Sequence, residues 1–256
     1  MIYKTSFIIA LFFILSCTSS SKFKLESKSD DNLIVHVEKY MTPNSDSLNV
    51  YFFTKVLQEE LVFVKNAKNF VANISYRIIA IDKKSSSVVN NISGEKTVVH
   101  QFYEDTKENG RYFNFETQMF LPNTNHEIVT IIKDLDSKRV FKNKFELDYL
   151  DQNKKNTIGD ITAYIYKNKI KEHVDQIIDA NTDFIWFKFQ IIDSTVKRDS
   201  INFFYSLIQD SVIIDSSIIK LSVNEKNIYN FPVEIQPFWE DKAKLFITYK
   251  GHSSSY

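Results

Sequence analysis

"YFNFETQMF", residues 112–120, alternates without a break: Phe113, Phe115, Thr117 and Met119 fall on one side, and Asn114, Glu116 and Gln118 on the other. A period of two is the signature of a strand with one face in a core and one in water. "KFELDY" at 144–149 repeats the pattern, with Phe145, Leu147 and Tyr149 against Lys144, Glu146 and Asp148. In "FIWFKFQI" at 184–191, Ile185, Phe187, Phe189 and Ile191 form the apolar face, which leaves Phe184 and Trp186 beside Lys188 and Gln190.

Working outward, "FVANISYRIIAID" (70–82), "TVVHQFY" (97–103), "HEIVTIIKD" (126–134) and "RVFKNKF" (139–145) share a β-branched and aromatic richness. The polar breaks "NNISGE", "KENG" and "LPNTN" read as the connections between them. After residue 160 come "ITAYIYK", "INFFYSLIQ", "SVIIDSSIIKLSV", "IYNFPVEI" and "KLFITYK", all strand-like. One segment departs from this: in "KIKEHVDQIID", Ile170, Val174 and Ile177 stand at i, i+4 and i+7, the spacing of a short amphipathic helix. "DQNKKNTIGD" at 151–160 is a polar joint between two β-rich blocks. The expected architecture is all-β: two tandem antiparallel, immunoglobulin-like sandwiches over 33–151 and 156–251.

The N-terminus reads differently. Lys4 is followed by an uninterrupted apolar run from Phe7 to Leu15 and then by Ser16-Cys17, the outline of a secretory signal peptide over 1–16. Nine residues make roughly 14 Å of helix, under half of a bilayer core. Ile14-Leu15-Ser16-Cys17 resembles the bacterial lipobox, which implies that Cys17 is lipidated and becomes the mature N-terminus. Residues 17–32 then form a polar tether carrying the lipid. Cys17 is the single cysteine, so no intramolecular disulfide supports the fold and packing must. With 22 Phe, 13 Tyr and 43% hydrophobic residues the chain has the material for it.

Lys+Arg and Asp+Glu both number 32, which implies no basic face for nucleic acid or an anionic membrane surface. The only glycines are 94, 110, 159 and 251, so neither a dinucleotide fingerprint nor a phosphate-cradling loop can be written. His36, His100, His126, His173 and His252 lack a metal-ligand spacing and read as surface or strand-edge residues. Acidic pairs such as Glu59-Glu60 and Glu104-Asp105 read as solvated turns rather than an acid and a base. No metal and no cofactor is expected, and no catalytic residue is assigned.

The residues left as candidates for contact with a ligand or partner are Trp186, Trp239, Phe238 and Tyr205. Exposed indoles stack on sugar faces, and they also plug gaps between sheets. Two functional classes therefore stand open: a non-catalytic scaffold or protein-interaction module of the cell envelope, and a glycan-binding lipoprotein using these rings. An enzyme with an unrecognised site is the third.

"LNVYFFTKVLQEELVFVKNAKNFVANISYRIIAID" at 48–82 resembles the region after the tether in GWxTD-domain lipoproteins of Bacteroidetes. Leu61, Phe63, Lys65, Phe70, Ala72, Tyr76 and Asp82 stand at matching places. The similarity continues through "FYEDT" (102–106) and "KDLDSKRV" (133–140), while the G-W-x-T-D motif itself is absent. The resemblance implies a β-sandwich and an envelope compartment more than an activity. Thr18 after the lipidated cysteine, with no acidic run behind it, implies an outer-membrane lipoprotein whose domains face the periplasm and meet an envelope protein partner.

Overall fold

The computed structural model describes residues 32–42, 46–150, 157–167, 170–173, 183–192, 200–209, 211–224, 226–234, 244–249 and 252–255. The expected signal peptide, Cys17, most of the tether, the polar joint at 151–156, Phe238 and Trp239 lie outside these.

The first half contributes β1 (Leu33–Met41), β2 (Ser47–Leu57), β3 (Val64–Asn66), β4 (Asn69–Asp82), β5 (Val88–His100), β6 (Tyr112–Pro122), β7 (His126–Asp134) and β8 (Val140–Leu147). The second contributes β9 (Thr157–Ile158), β10 (Thr162–Lys167), β11 (Ile170–His173), β12 (Phe184–Ile192), β13 (Ser200–Gln209), β14 (Val212–Ser222), β15 (Ile228–Glu234), β16 (Lys244–Tyr249) and β17 (His252–Ser255). The chain is all-β, and its strand pairings are antiparallel.

In the first half β1–β2–β6 make one sheet; in the other β4 pairs with β3, β5 and β7, and β7 with β8. The alternation at 112–120 is obeyed: Met119 is buried and Asn114, Glu116 and Gln118 are exposed. Between the two sheets the core divides. One cluster gathers Met41, Leu48, Phe52, Ile78, Met119 and Ile128; the other gathers Leu33, Val56, Ile74, Ile132 and Phe141. Where they meet, the inward positions are threonines: Thr54 between Phe52 and Val56, Thr130 between Ile128 and Ile132, Thr117 between Phe115 and Met119. Their Oγ1 atoms are buried with no hydrogen-bond partner.

Two hairpins of this half close on the same device. Asp82 accepts the N–H of Lys84 and Ser85 and the Ser85 hydroxyl through Oδ1. Asp134 accepts from the N–H of Asp136 and Ser137 and from the Ser137 hydroxyl. Short carboxylates that bond the backbone two and three residues on are natural turn closers. Hydrogen bonds from Ser85, backbone first, and Thr124 hold the Asp82 carboxyl at about 2.

In the second half β10, β11, β12 and β15, with β9 beside β12, form one sheet and β14–β13–β16–β17 the other. Their shared core is aromatic at its centre: Phe203 meets Phe189 at 5.2 Å edge-on and Phe231 at 5.1 Å. Each such ring contributes roughly 1.5–3 kcal/mol by burial, with more for favourable ring geometry.

Several expectations need correcting. Ile170–His173 is a strand, not the start of a helix: Ile170 stands opposite Lys167 on β10, and apolar spacing over so short a stretch does not separate the two states. Residues 174–180 lie outside the description. "NNISGE" is not a break but the middle of β5, paired to β4 throughout. Gly94 suits this because a Cβ there would lie 2.7 Å from the Tyr76 hydroxyl, whose ring crosses it. Tyr149 is exposed, since β8 stops at Leu147 and Leu150 turns into the core instead. The Asn123 amide holds that turn, accepting from Leu150 N–H and donating to its carbonyl, both at 2.8 Å. β17 lies past the expected boundary at 251. His100 and His126, expected at the surface or a strand edge, are buried.

Candidate functional site

The outward face of β12 runs Phe184, Trp186, Lys188, Gln190, and its burial rises step by step. Phe184 is 47% exposed, Trp186 and Lys188 are half-buried, and Gln190 is 6% exposed. On β10 the same gradient takes Tyr166 from 54% exposed to a buried Tyr164. What covers the closed end is β1 of the first half.

That docking is polar. Glu38 is 1% exposed and lies within 2.7 Å of both the Tyr40 hydroxyl and the Lys188 ammonium, which donate to it. Lys188 also sits over the Tyr40 ring, 4.8 Å from its centroid. Burial, then the neighbouring Glu38, pushes the Tyr40 hydroxyl well above its ordinary range, so it remains a donor at any physiological pH. Gln190 treats β1 as a strand neighbour: Oε1 accepts from Met41 N–H at 2.6 Å, and Nε2 donates to the carbonyls of Met41 at 2.9 Å and Lys226 at 3.1 Å. Ile192 adds an apolar contact to the first core. At the edge, Lys39 donates to the Asp148 carbonyl at 2.8 Å and pairs with Asp160 at 3.1 Å, on the floor of a groove between β1 and β8.

The open end carries three rings in contact. Trp186 stacks on Tyr164 at 6.4 Å and meets Tyr166 edge-on at 5.9 Å, and Tyr166 meets Tyr164 edge-on at 5.6 Å. Pro232 lies opposite Trp186 and Glu234 opposite Phe184 on β15, both exposed. Proline is tolerated there because, among the described residues, β15 is an edge strand. Burial pushes the Tyr164 hydroxyl upward as well, and Asn230 donates to it at 3.3 Å.

Of the candidates read from sequence, Trp186 is in this patch. Tyr205 is not, and its assignment as a contact residue is corrected: its ring packs on Phe231 in the second core, and its hydroxyl, raised by burial and then by its bond to Asp215, donates at 2.7 Å. Cys17, Phe238 and Trp239 lie outside the described residues. Sequence reasoning missed Tyr164, Tyr166 and Phe184 as members, although "ITAYIYK" alternates visibly; it also missed Glu38, whose burial depends on a contact across the two halves. Among the described residues no three His, Cys, Asp or Glu side chains converge, and no helix is long and apolar enough to cross a membrane.

No protein-family model matches the chain, and no curated protein matches it. Among solved structures it is similar to trypsin-activated alpha-2-macroglobulin from Escherichia coli, with 13% identity and a TM-score of 0.25 over 88% of this chain. The chain spans 16% of that structure's length.

Proposed function

We propose that this protein is a non-catalytic scaffold of the cell envelope that holds a protein partner on the open end of the β10–β12–β15 face. One observation carries the reading: the face is continuous, and its closed end already serves as a protein-docking surface against β1, while among the described residues Phe184, Tyr166 and Pro232 extend it exposed and Trp186 half-buried. Aromatic rings rimmed by polar groups are the composition of interface centres. The N-terminal sequence supports lipid attachment at Cys17 and an outer-membrane location with the domains facing the periplasm, and the pattern at 48–82 supports kinship with the GWxTD-domain lipoproteins.

The test is a pull-down from a native membrane extract comparing the wild type with the double variant Tyr166→Ser/Phe184→Ser. A partner retained by the first and lost by the second is expected; an unchanged set of partners would remove the assignment. Cys17→Ala should strip membrane association, and protease added to intact cells should leave the wild type uncut. Rapid shaving from intact cells would put the domains on the outer surface instead.

The Trp186–Tyr166 pair also favours a second reading, a glycan-binding face, since such rings stack on sugars. Tryptophan fluorescence titrated with envelope and dietary glycans separates the two: a saturable shift absent in Trp186→Phe supports the glycan.

A further inference from the structure

β14 is an edge strand of a different kind from those of the first half. There, side chains from the opposite sheet reach the edges: Asn143 donates to the Leu33 carbonyl of β1 at 3.2 Å, and Asn90 to the Phe120 carbonyl of β6 at 2.9 Å. β14 pairs with β13 along Val212–Ser222 and, among the described residues, with no strand on its other side. A row of backbone donors and acceptors therefore faces outward.

Its side chains blunt that edge only weakly, with no charge at its centre. Ile218 is the most exposed large hydrophobic residue among those described, at 71%, and its neighbour Phe204 on β13 is exposed too. The strand's only carboxylate, Asp215, points inward beside Leu207 and accepts the Tyr205 hydroxyl. That leaves Lys220 as the one charge on the outer face.

We infer that β14 is a self-association edge: two copies of the chain pair β14 with β14, antiparallel about a two-fold axis at Ile218, and continue the β14–β13–β16–β17 sheet across the boundary. In this register Ile218 faces Ile218 of the second copy, Ser216 faces Lys220, Ser217 faces Ile219, and Asp215 faces Leu221. The most exposed apolar residue is covered, and no like charges stand opposite one another. A second copy is the occupant favoured because the strand is complementary to itself in this register and because the formal net charge of zero sets up no repulsion between copies.

Opposed residues of an antiparallel pair have Cα atoms about 4.5–5.5 Å apart, within disulfide reach. In a Cys17→Ala background, Ile218→Cys should give a covalent dimer under mild oxidation and Ile213→Cys should not, because Ile213 lies five positions from the axis. Sedimentation equilibrium up to about 100 μM should show a dimer for the wild type and a monomer for Ile218→Lys, with unchanged circular dichroism confirming the fold. A wild type monomeric throughout, or cross-linking at 213 in preference to 218, overturns the proposal. A tighter protein partner strand occupying the same edge would appear as the first of these outcomes.

Discussion

Glu38 and Lys188 stand 150 residues apart in the chain and 2.7 Å apart in the fold, the carboxylate almost wholly buried and the ammonium a quarter exposed. They fasten β1 of the first sandwich to the outward face of β12 in the second. A buried carboxylate left without its cation keeps its desolvation penalty.

Lys188→Met should therefore destabilise the protein by about 1–3 kcal/mol, less than a fully buried pair because water reaches the ammonium. Adding Glu38→Gln should restore most of the loss. Urea denaturation of the two variants measures this, and equal midpoints for Lys188→Met and wild type would dissociate the pair from stability.

Gln190→Leu keeps the volume but leaves the Met41 N–H and carbonyl without their partner, at about 1–3 kcal/mol. Gln190→Glu should be worse, since its second oxygen would face the carbonyls of Met41 and Lys226. The ranking Gln above Leu above Glu, read as melting temperature at neutral pH, is the expected result.

His100 makes the stability depend on pH. Its Nε2 lies 2.6 Å from Gln58 Oε1, an atom that only accepts, so the ring nitrogen donates. Burial lowers its pKa below the ordinary value, helped by Arg111 and opposed by Asp105 and Glu108. Between the lowered value and about 6.5 the unfolded chain binds a proton that the fold does not. Its contribution is thus full above about pH 6.5 and lost as pH falls through the folded value. His100→Gln should flatten the decline in melting temperature between about pH 7 and 5; an identical slope would refute it.

The three threonines between the two clusters of the first core offer the opposite sign. Thr54→Val and Thr130→Val exchange an unpartnered hydroxyl for a methyl of nearly the same shape. Each should stabilise by about 1 kcal/mol, seen as a rise in melting temperature. A fall in both would show the hydroxyls bonded in solution.

Strand positions were legible where one face meets a core and the other water, as in β6 and β12, because the period of two is then enforced at every residue. β5 was legible only at its end, Thr97–His100, since Gly94 reads as a turn until Tyr76 is seen lying across it. The outward face of β12 was legible as a face but not as an interface: nothing local in Lys188 or Gln190 announces the strand that buries them. Tyr205 went wrong for the converse reason, its polar tip being answered by Asp215 on the neighbouring strand rather than by water.

The two Asp-closed hairpins set a folding order. β4–β5 and β7–β8 join neighbours through turns that Asp82 and Asp134 prepare locally, whereas β2 finds β6 only after all of β3, β4 and β5 has been made. Closing short loops is fast and closing long ones slow. Pulse-labelled amides of the two hairpins should therefore gain protection before those of β2 and β6. A chain still lacking Leu147 and Leu150 cannot complete the cluster that contains them, so until then Phe52 and Met119 have a partial core to join. During synthesis the first sandwich is an unfinished, adhesive object for most of its own length, and its own strands close the core only when the last of them and the turn beyond it arrive.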